Sequence, residues 1–116
     1  MAINQATICG NLTRDAEGKN YAGGYILRFT VAVNEWRKVG EKWESKPNYI
    51  PCVMFGTRAE KVAQFMKKGI KVCVIGSLKY SEWMKDEEKR SKIEIFVRDL
   101  ELMQKKDDSP EDIIPF

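Results

Sequence analysis

The 116-residue sequence has no histidine, and its three cysteines are far apart and odd in number. Without imidazole the chain lacks the commonest general base and the commonest zinc ligand, and no D-x-D-x-D-G loop offers a carboxylate metal site instead. We therefore expect no catalytic residues, no metal and no cofactor, and hence a protein that is not an enzyme. Because no C-x-x-C pair occurs, the sequence predicts that Cys9, Cys52 and Cys73 are reduced core residues of a cytoplasmic protein.

Long apolar segments are missing too. No run approaches the roughly 20 residues of a membrane helix, and the first thirty residues do not join a basic start to an apolar stretch. A chain of this length has room for one modest core. We expect a soluble protein with no membrane contact, in which residues 1–104 form one domain and residues 105–116 form a short acidic tail.

Charge is plentiful but unevenly distributed. The chain carries 20 lysines and arginines against 17 acids, a net charge of +3. The last ten residues hold four of those acids and no base, which leaves 20 bases against 13 acids in residues 1–106, a net charge of +7. A basic body predicts a polyanionic partner.

Five segments have the character of strands. In "YILRFTVAVN" apolar side chains occupy every second position from Leu27 to Val33, the pattern of a half-buried strand. Residues 15–18 are predicted to be a turn, residues 35–48 a long hairpin loop or a pair of protruding strand ends, and Pro51 predicts an edge or a bulge. The predicted strands are residues 3–12, 25–34, 49–55, 70–80 and 92–102.

One segment, "TRAEKVAQFMKKG", has the period of a helix. Thr57 and Glu60 have the spacing of a capping box, and Gly69 suits the left-handed position after a helix. The face predicted to be buried consists of Ala59, Val62, Ala63 and Met66. Three strands, a helix and two strands is the element order of an all-β, five-stranded OB-fold barrel with the helix between strands 3 and 4, although other small β-barrels stay open on pattern alone.

The three tryptophans, Trp36, Trp43 and Trp83, have charged neighbours and fall where loops or hairpin ends are predicted. Each could fold back as a lid on the barrel core. Taken together, exposed rings beside lysines and arginines are what single-stranded nucleic acid requires, because bases stack on the rings while phosphates meet the cations.

The chain resembles the bacterial and phage single-stranded DNA-binding proteins along nearly its whole length. The resemblance lies in "GNLTRDAE", "FTVAVNEWR", "FGTRAEKVAQFMKKG", "VIGSLKYSEW" and the ending "DDSPEDIIPF". It implies an OB-fold protein of the cytoplasm, associated with the nucleoid and usually a homotetramer, although a dimer is possible. It also implies sequence-independent binding and protection of single-stranded DNA during replication, recombination and repair.

Site residues follow from the same resemblance. The positions that match the family's stacking aromatics are Trp36, Tyr49, Phe55 and Trp83, although Phe55 could instead belong to the core. The candidates for phosphate contact are Arg37, Lys38, Lys68 and Lys79. Trp43 matches no family aromatic, and Glu82 stands where a base is frequent.

The ending of the chain is predicted to be a docking tip for replication and repair proteins, formed by Asp112, Ile113, Ile114, Pro115 and Phe116. Phe116 offers a ring and a free carboxylate to one pocket, and Pro115 restricts the approach. The few residues that precede the tip keep it close to the basic body, where it could compete with DNA. The alternative function is an OB-fold adaptor or primosome-type subunit that acts mainly through protein contacts.

Overall fold

The computed structural model describes residues 2–103, which form a mainly antiparallel barrel with a single short helix. The OB-fold prediction is confirmed, with one strand more than the five expected. The elements are β1 (Ala6–Leu12), β2 (Glu17–Tyr21), β3 (Gly24–Val39), β4 (Lys42–Phe55), α1 (Thr57–Ala63), β5 (Lys71–Lys85) and β6 (Glu88–Met103).

The barrel closes because β1 pairs at both of its sides. The strands follow the order β1, β5, β6, β4, β3, β2, and β1 also pairs with β3 at Asn11 and Leu12. The pairing of β4 with β6 is parallel and short, with Cys52 opposite Ile95 and Val53 opposite Phe96. This narrow junction joins two long hairpins, β3–β4 and β5–β6, into one curved sheet.

The core lies on one side of that sheet and follows the alternation seen in the sequence. Leu27, Phe29 and Val31 of β3 are buried with Cys52 and Met54 of β4. The other buried hydrophobic residues of the core cluster are Leu12, Ala59, Met66, Val72, Val74, Ile95 and Leu100. Opposite residues in an antiparallel pair share a face, so the alternate positions of β3 and β4 point outward.

Both long hairpins project beyond the core. The segment from residue 34 to residue 48 is a pair of protruding strand ends, the second of the two predicted alternatives, closed by a two-residue turn at Gly40 and Glu41. The β5–β6 hairpin ends in a turn at Asp86 and Glu87, whose φ angles are 51° and 66°. Such left-handed values suit a type I′ turn but are costly for residues other than glycine.

The extra strand, β2, begins inside the predicted turn at residues 15–18 and continues through residues 19–21, for which no element was predicted. It pairs with the start of β3, from Glu17 opposite Arg28 to Tyr21 opposite Gly24. All five of its residues are exposed, so it carries no hydrophobic alternation that a sequence pattern could reveal. Backbone pairing with β3 is what defines it.

The helix is shorter than predicted and begins differently. It ends at Ala63, and the Thr57 and Glu60 capping box is wrong because Gly56 is the N-cap, with its carbonyl accepting from the Glu60 amide. Of the predicted buried face, Ala59 and Met66 are fully buried and Val62 and Ala63 are half-buried against the core, although Met66 lies beyond the end of the helix. Among residues 2–103, no helix is long and apolar enough to cross a membrane.

Two local features concern the backbone. Pro51, which was predicted to mark an edge or a bulge, lies opposite Thr30 in β4, just before the two residues of that strand that pair with β6. Gly10 permits close contact between strands, because a Cβ at that position would collide with the Ala32 carbonyl.

The prediction that all three cysteines are reduced core residues is wrong for two of them. Cys9 and Cys73 lie directly opposite each other in β1 and β5, with Cα atoms 4.2 Å apart, and are joined by a disulfide. Cys9 is exposed and Cys73 is half-buried, so the pair lies on the outer surface. Only Cys52 is a buried free thiol. Its pKa is raised to about 12, mainly because it is buried and to a smaller extent because of the negative charge of Glu94.

Candidate nucleic-acid interface

The outward side of the two long hairpins carries most of the large exposed rings. In β3 and β4, Trp36 lies opposite Ser45, Tyr49 opposite Ala32 and Phe55 opposite Ile26. These pairs alternate with the pairs of the core, so the three rings share the outward side. Tyr49 is 64% exposed and Trp36 65%, whereas Phe29 on the core side is 5% exposed.

The β5–β6 hairpin continues this surface across the junction. Ser77 lies opposite Phe96, Lys79 opposite Glu94, and Trp83 opposite Arg90, all on one side of the hairpin. Phe96 also lies opposite Val53 of β4, which places it beside the β3–β4 rings. We call the outward side of β3, β4, β6 and β5, with Trp36, Tyr49, Phe55, Phe96 and Trp83, the aromatic face.

At the centre of the aromatic face two rings meet. Phe55 and Phe96 pack edge to face with centroids 5.3 Å apart. The Lys79 ammonium lies 5.6 Å from the Phe96 centroid, within the distance for a cation–π contact. Phe55 is 43% exposed, so it is not the core residue that the sequence left as an alternative.

Phe96 was missed by the sequence reasoning, although a signal was available. In "KIEIFVRDL" the apolar residues Ile93, Ile95 and Val97 alternate, and Phe96 falls at the other parity, between Glu94 and Arg98. A lone aromatic among charged residues on the outward parity of a strand indicates an exposed ring.

At the far end of the aromatic face, Trp83 is partly covered by a cation. The Lys92 ammonium lies 5.8 Å from the centroid of the Trp83 ring. Trp83 keeps 43% of its surface exposed. The ring therefore retains area for stacking while a positive charge sits beside it.

One carboxylate is buried under the aromatic face. Glu94 is 5% exposed and lies 3.2 Å from a terminal nitrogen of Arg28 and 3.6 Å from the Lys92 ammonium. Two half-exposed cations therefore compensate its charge, as a buried carboxylate requires. The effect is to fix Arg28 and Lys92 at the middle of the surface.

The residues predicted to contact phosphate are not all brought together. Lys38 and Lys79 lie on the aromatic side of their hairpins. Arg37 lies opposite Glu44 on the other side of the β3–β4 hairpin. Lys68 is exposed in the segment after α1, where its amide donates to Asp15 at 2.8 Å, and strand register does not align it with the aromatic face. The roles of all four remain predictions.

Other sequence predictions have simpler outcomes. Trp43 lies opposite Lys38, on the same side of the hairpin as Trp36. No group of three cysteine, aspartate or glutamate side chains within residues 2–103 could hold a metal ion. The predicted tip, Asp112 to Phe116, lies outside the described residues.

A closed barrel of this topology, with its helix between the two long hairpins, defines an OB-fold protein. The profile of the single-strand binding protein family matches residues 3–103. The chain therefore belongs to the single-strand binding protein family, whose members are non-enzymatic DNA-binding proteins.

Curated relatives agree with this assignment. The single-stranded DNA-binding protein of Borreliella burgdorferi is 42% identical over 103 residues, covering 86% of this chain and 69% of that protein. The single-stranded DNA-binding protein of Treponema pallidum is 39% identical over 102 residues, covering 87% of this chain and 58% of that protein. The chain thus spans less than two thirds of the Treponema relative.

Solved structures agree on the fold. The Plasmodium falciparum SSB in complex with ssDNA has a TM-score of 0.81 at 21% identity, covering 90% of this chain and 97% of that one. A deletion mutant of the Thermus aquaticus single-stranded DNA binding protein has a TM-score of 0.77 at 26% identity, covering 88% of this chain and 51% of that one.

Proposed function

We propose that this protein binds single-stranded DNA without sequence preference through the aromatic face. The observation that carries the proposal is that five aromatic rings share one outward surface while lysines lie over two of them. Two relatives above 35% identity are named as single-stranded DNA-binding proteins, which supports the same ligand.

The proposed mechanism combines stacking with charge. Every base has a π-face, so stacking on the rings tolerates any sequence, and it is worth about 1 to 3 kcal/mol per base. Phosphates meet Lys38, Lys79 and the cations held by Glu94. Bases in a duplex are already stacked, so the same surface discriminates against double-stranded DNA.

The direct test is a titration of tryptophan fluorescence with oligothymidylate and with a duplex of equal length. We expect strong quenching by the single strand and weak quenching by the duplex. Trp83→Ala should weaken binding by about 1 to 3 kcal/mol. The matched control is Met84→Ala, an exposed apolar residue on the other side of the same strand, which should bind as the wild type does. Equal quenching by both ligands would refute the proposal.

The salt dependence of binding tests the phosphate contacts. For single strands, the logarithm of affinity falls by about 0.7 per log unit of salt for each phosphate neutralised. Lys38→Ala and Lys79→Ala should each reduce this slope by about 0.7. Arg37→Ala, on the opposite side of the β3–β4 hairpin, should leave the slope unchanged. A larger effect for Arg37 than for Lys38 would reverse the proposed orientation.

We also propose that the protein is a homo-oligomer, with a tetramer favoured over a dimer. The supporting feature is β1, which pairs with β3 only through Asn11 and Leu12 within the described residues. The remainder of that side is an open strand edge, which favours pairing with another chain. Light scattering on the purified protein tests this, and a monomer at micromolar concentration would contradict it.

A role in replication, recombination and repair, with recruitment of partner proteins by the tip at residues 112–116, completes the proposal. Four acids precede or enter the apolar segment at residues 113–116, which suits a pocket with an apolar floor and a basic rim. A chain lacking residues 107–116 should lose capture of replication and repair proteins but keep oligothymidylate binding. Tighter binding by the shortened chain at low salt would show that the tail competes with DNA. Equal capture of partners by both chains would contradict recruitment by the tip.

We also propose that the protein is cytoplasmic and associated with the nucleoid. A fluorescent fusion that does not follow the nucleoid would count against that location.

A further inference from the structure

The protruding end of the β3–β4 hairpin carries a second indole beside Trp36. Trp43 lies opposite Lys38, and Trp36 lies opposite Ser45. Because opposite residues share a face, Trp36, Lys38 and Trp43 lie on the same side, and the two tryptophans are diagonal neighbours across the hairpin. The sequence makes Trp43 a candidate by its composition alone, and the family resemblance assigns it no role.

The spacing of diagonal neighbours suits a flat ligand. Their backbones are about 7 to 8 Å apart in an antiparallel pair. A planar base between two parallel rings needs about 7 to 8 Å between the ring planes, since carbon atoms pack at about 3.5 to 4.0 Å on each side. The backbone separation of the two positions therefore matches the space that one nucleobase needs between two rings.

Both indoles are available to a ligand. Trp36 is 65% exposed and Trp43 is 64% exposed. In residues 2–103 the pair of rings in contact is Phe55 with Phe96, so the indoles do not cover each other. Large aromatic side chains normally bury most of their area, and two adjacent uncovered indoles at a hairpin tip indicate a binding role.

Charge is separated between the two sides of the hairpin tip. The side that carries the indoles has one cation, Lys38, and no carboxylate between residue 34 and residue 47, apart from Glu41 in the turn. The acids Glu35 and Glu44 lie on the opposite side with the remaining cations. The indole side therefore suits a ligand with flat bases and a negatively charged backbone.

The tip is also a defined scaffold. Strand pairing continues to Val39 opposite Lys42, and the two-residue turn has Gly40 in a left-handed conformation with φ of 67°. Glycine adopts this conformation without strain. The indoles therefore stand on paired backbone, and less ordering is required when a ligand binds.

We propose that Trp36 and Trp43 form a clamp that holds one base of a single-stranded polynucleotide between their rings, with Lys38 meeting an adjacent phosphate. The clamp rests on the proposed binding of single-stranded DNA. It extends the aromatic face to the tip of the β3–β4 hairpin.

The first test removes or moves the second ring. Trp43→Ala should weaken binding to oligothymidylate about fivefold or more, the effect of losing one stacking contact. A matched control exchanges two neighbours, Trp43→Glu with Glu44→Trp, which moves the ring to the opposite side and preserves composition and charge. This variant should lose at least as much affinity as Trp43→Ala, because the new carboxylate at position 43 also lies opposite Lys38. Wild-type affinity in either variant would overturn the clamp.

A double-mutant cycle tests whether the two rings hold the same base. Removing Trp36 and Trp43 together should cost less than the product of the two separate fold-losses, because a base that has lost one ring is already poorly held. Trp43→Ala with Trp83→Ala should multiply, because those rings lie on different hairpins. Simple multiplication for the Trp36 and Trp43 pair would show that they hold separate bases and would overturn the clamp.

An abasic oligonucleotide distinguishes a loss of the clamp from a folding defect and from a failure of the proposed DNA binding. Trp43→Ala should bind this ligand as the wild type does, and weaker binding to both ligands would contradict the clamp. If the wild type does not bind oligothymidylate, the proposed function fails and the clamp fails with it. If the wild type binds and Trp83→Ala weakens it while Trp43→Ala does not, only the clamp fails.

Discussion

In both halves of the β3–β4 hairpin successive side chains point to opposite sides. In the barrel half one of these sides is buried, whereas in the protruding half both are exposed. In residues 24–33 of β3, every second side chain enters the core, as Leu27 and Val31 do. In residues 34–39 every side chain is exposed. The barrel half therefore uses one face for stability, whereas the protruding half has both faces free. The difference shows that one face of a strand becomes part of the hydrophobic core only where another layer of the sheet packs against it.

The largest expected effect is in the barrel half. Leu27→Ala should lower the free energy of unfolding by about 2 to 5 kcal/mol, because it leaves a cavity at a fully buried position. Val39→Ala, the comparable change in the protruding half, should cost less than about 0.5 kcal/mol. Urea denaturation measures both. Equal losses would mean that the protruding half is also part of a packed core.

The next effect is again in the barrel half, where Glu94 of β6 pairs with Arg28 of β3. Glu94→Gln removes a buried charge from Arg28 and Lys92 and should lower stability by about 1 to 2 kcal/mol, since both cations are half-exposed. The same change leaves two cations uncompensated, so oligothymidylate binding should tighten at low salt.

The control for Glu94 is Glu82→Gln, which breaks an exposed pair with Lys89 on the other side of the β5–β6 hairpin. It should change stability by less than about 0.5 kcal/mol. Weaker DNA binding by Glu94→Gln would indicate that the carboxylate positions the cations for phosphate, and that charge alone does not set the affinity.

A smaller effect is expected at the tip of the β5–β6 hairpin. Glu87 has a φ of 66°, so Glu87→Gly should relieve strain and raise stability by about 0.5 to 1 kcal/mol. Glu88→Gly, one residue further and inside β6, should lower stability by a similar amount. Thermal unfolding distinguishes the two, and loss of stability in both would contradict a strained turn.

The smallest effect is expected at an exposed ion pair on the barrel. Arg58 lies 2.7 Å from Asp99, and this hydrogen bond is the main cause that lowers the pKa of the Asp99 carboxyl from 3.8. Its stabilising contribution is therefore present above pH 3.8 and lost as the pH falls through the lowered value. Asp99→Asn should be slightly less stable than the wild type at pH 7, and the difference should disappear in acid. If the stability difference between the wild type and Asp99→Asn persists in acid, the introduced amide, and not the lost charge, is its cause.

Much of the fold could be predicted from the sequence because the core residues alternate visibly. The pattern in residues 25–34 and the helical spacing from Ala59 to Met66 both correspond to buried faces. The strand β2 could not be predicted, because its residues are all exposed and backbone pairing alone defines it. The prediction of the helix start was wrong because the N-cap residue is Gly56, which has no side chain that a capping pattern in the sequence could reveal.

The candidate site was predicted in part, and its gaps have one physical cause. Pairing register between distant strands cannot be read from local patterns. It brings Cys73 opposite Cys9 across 64 residues and Phe96 beside β4.

The register of the protruding hairpin also limits how its length can change. A single residue inserted in β4 between Trp43 and Tyr49 would turn every side chain from that point to the turn to the other side of the hairpin. The indole at position 43 would then stand among the acids of the opposite side. Relatives that lengthen or shorten this hairpin while keeping rings on one side are therefore expected to do so by two residues in each strand.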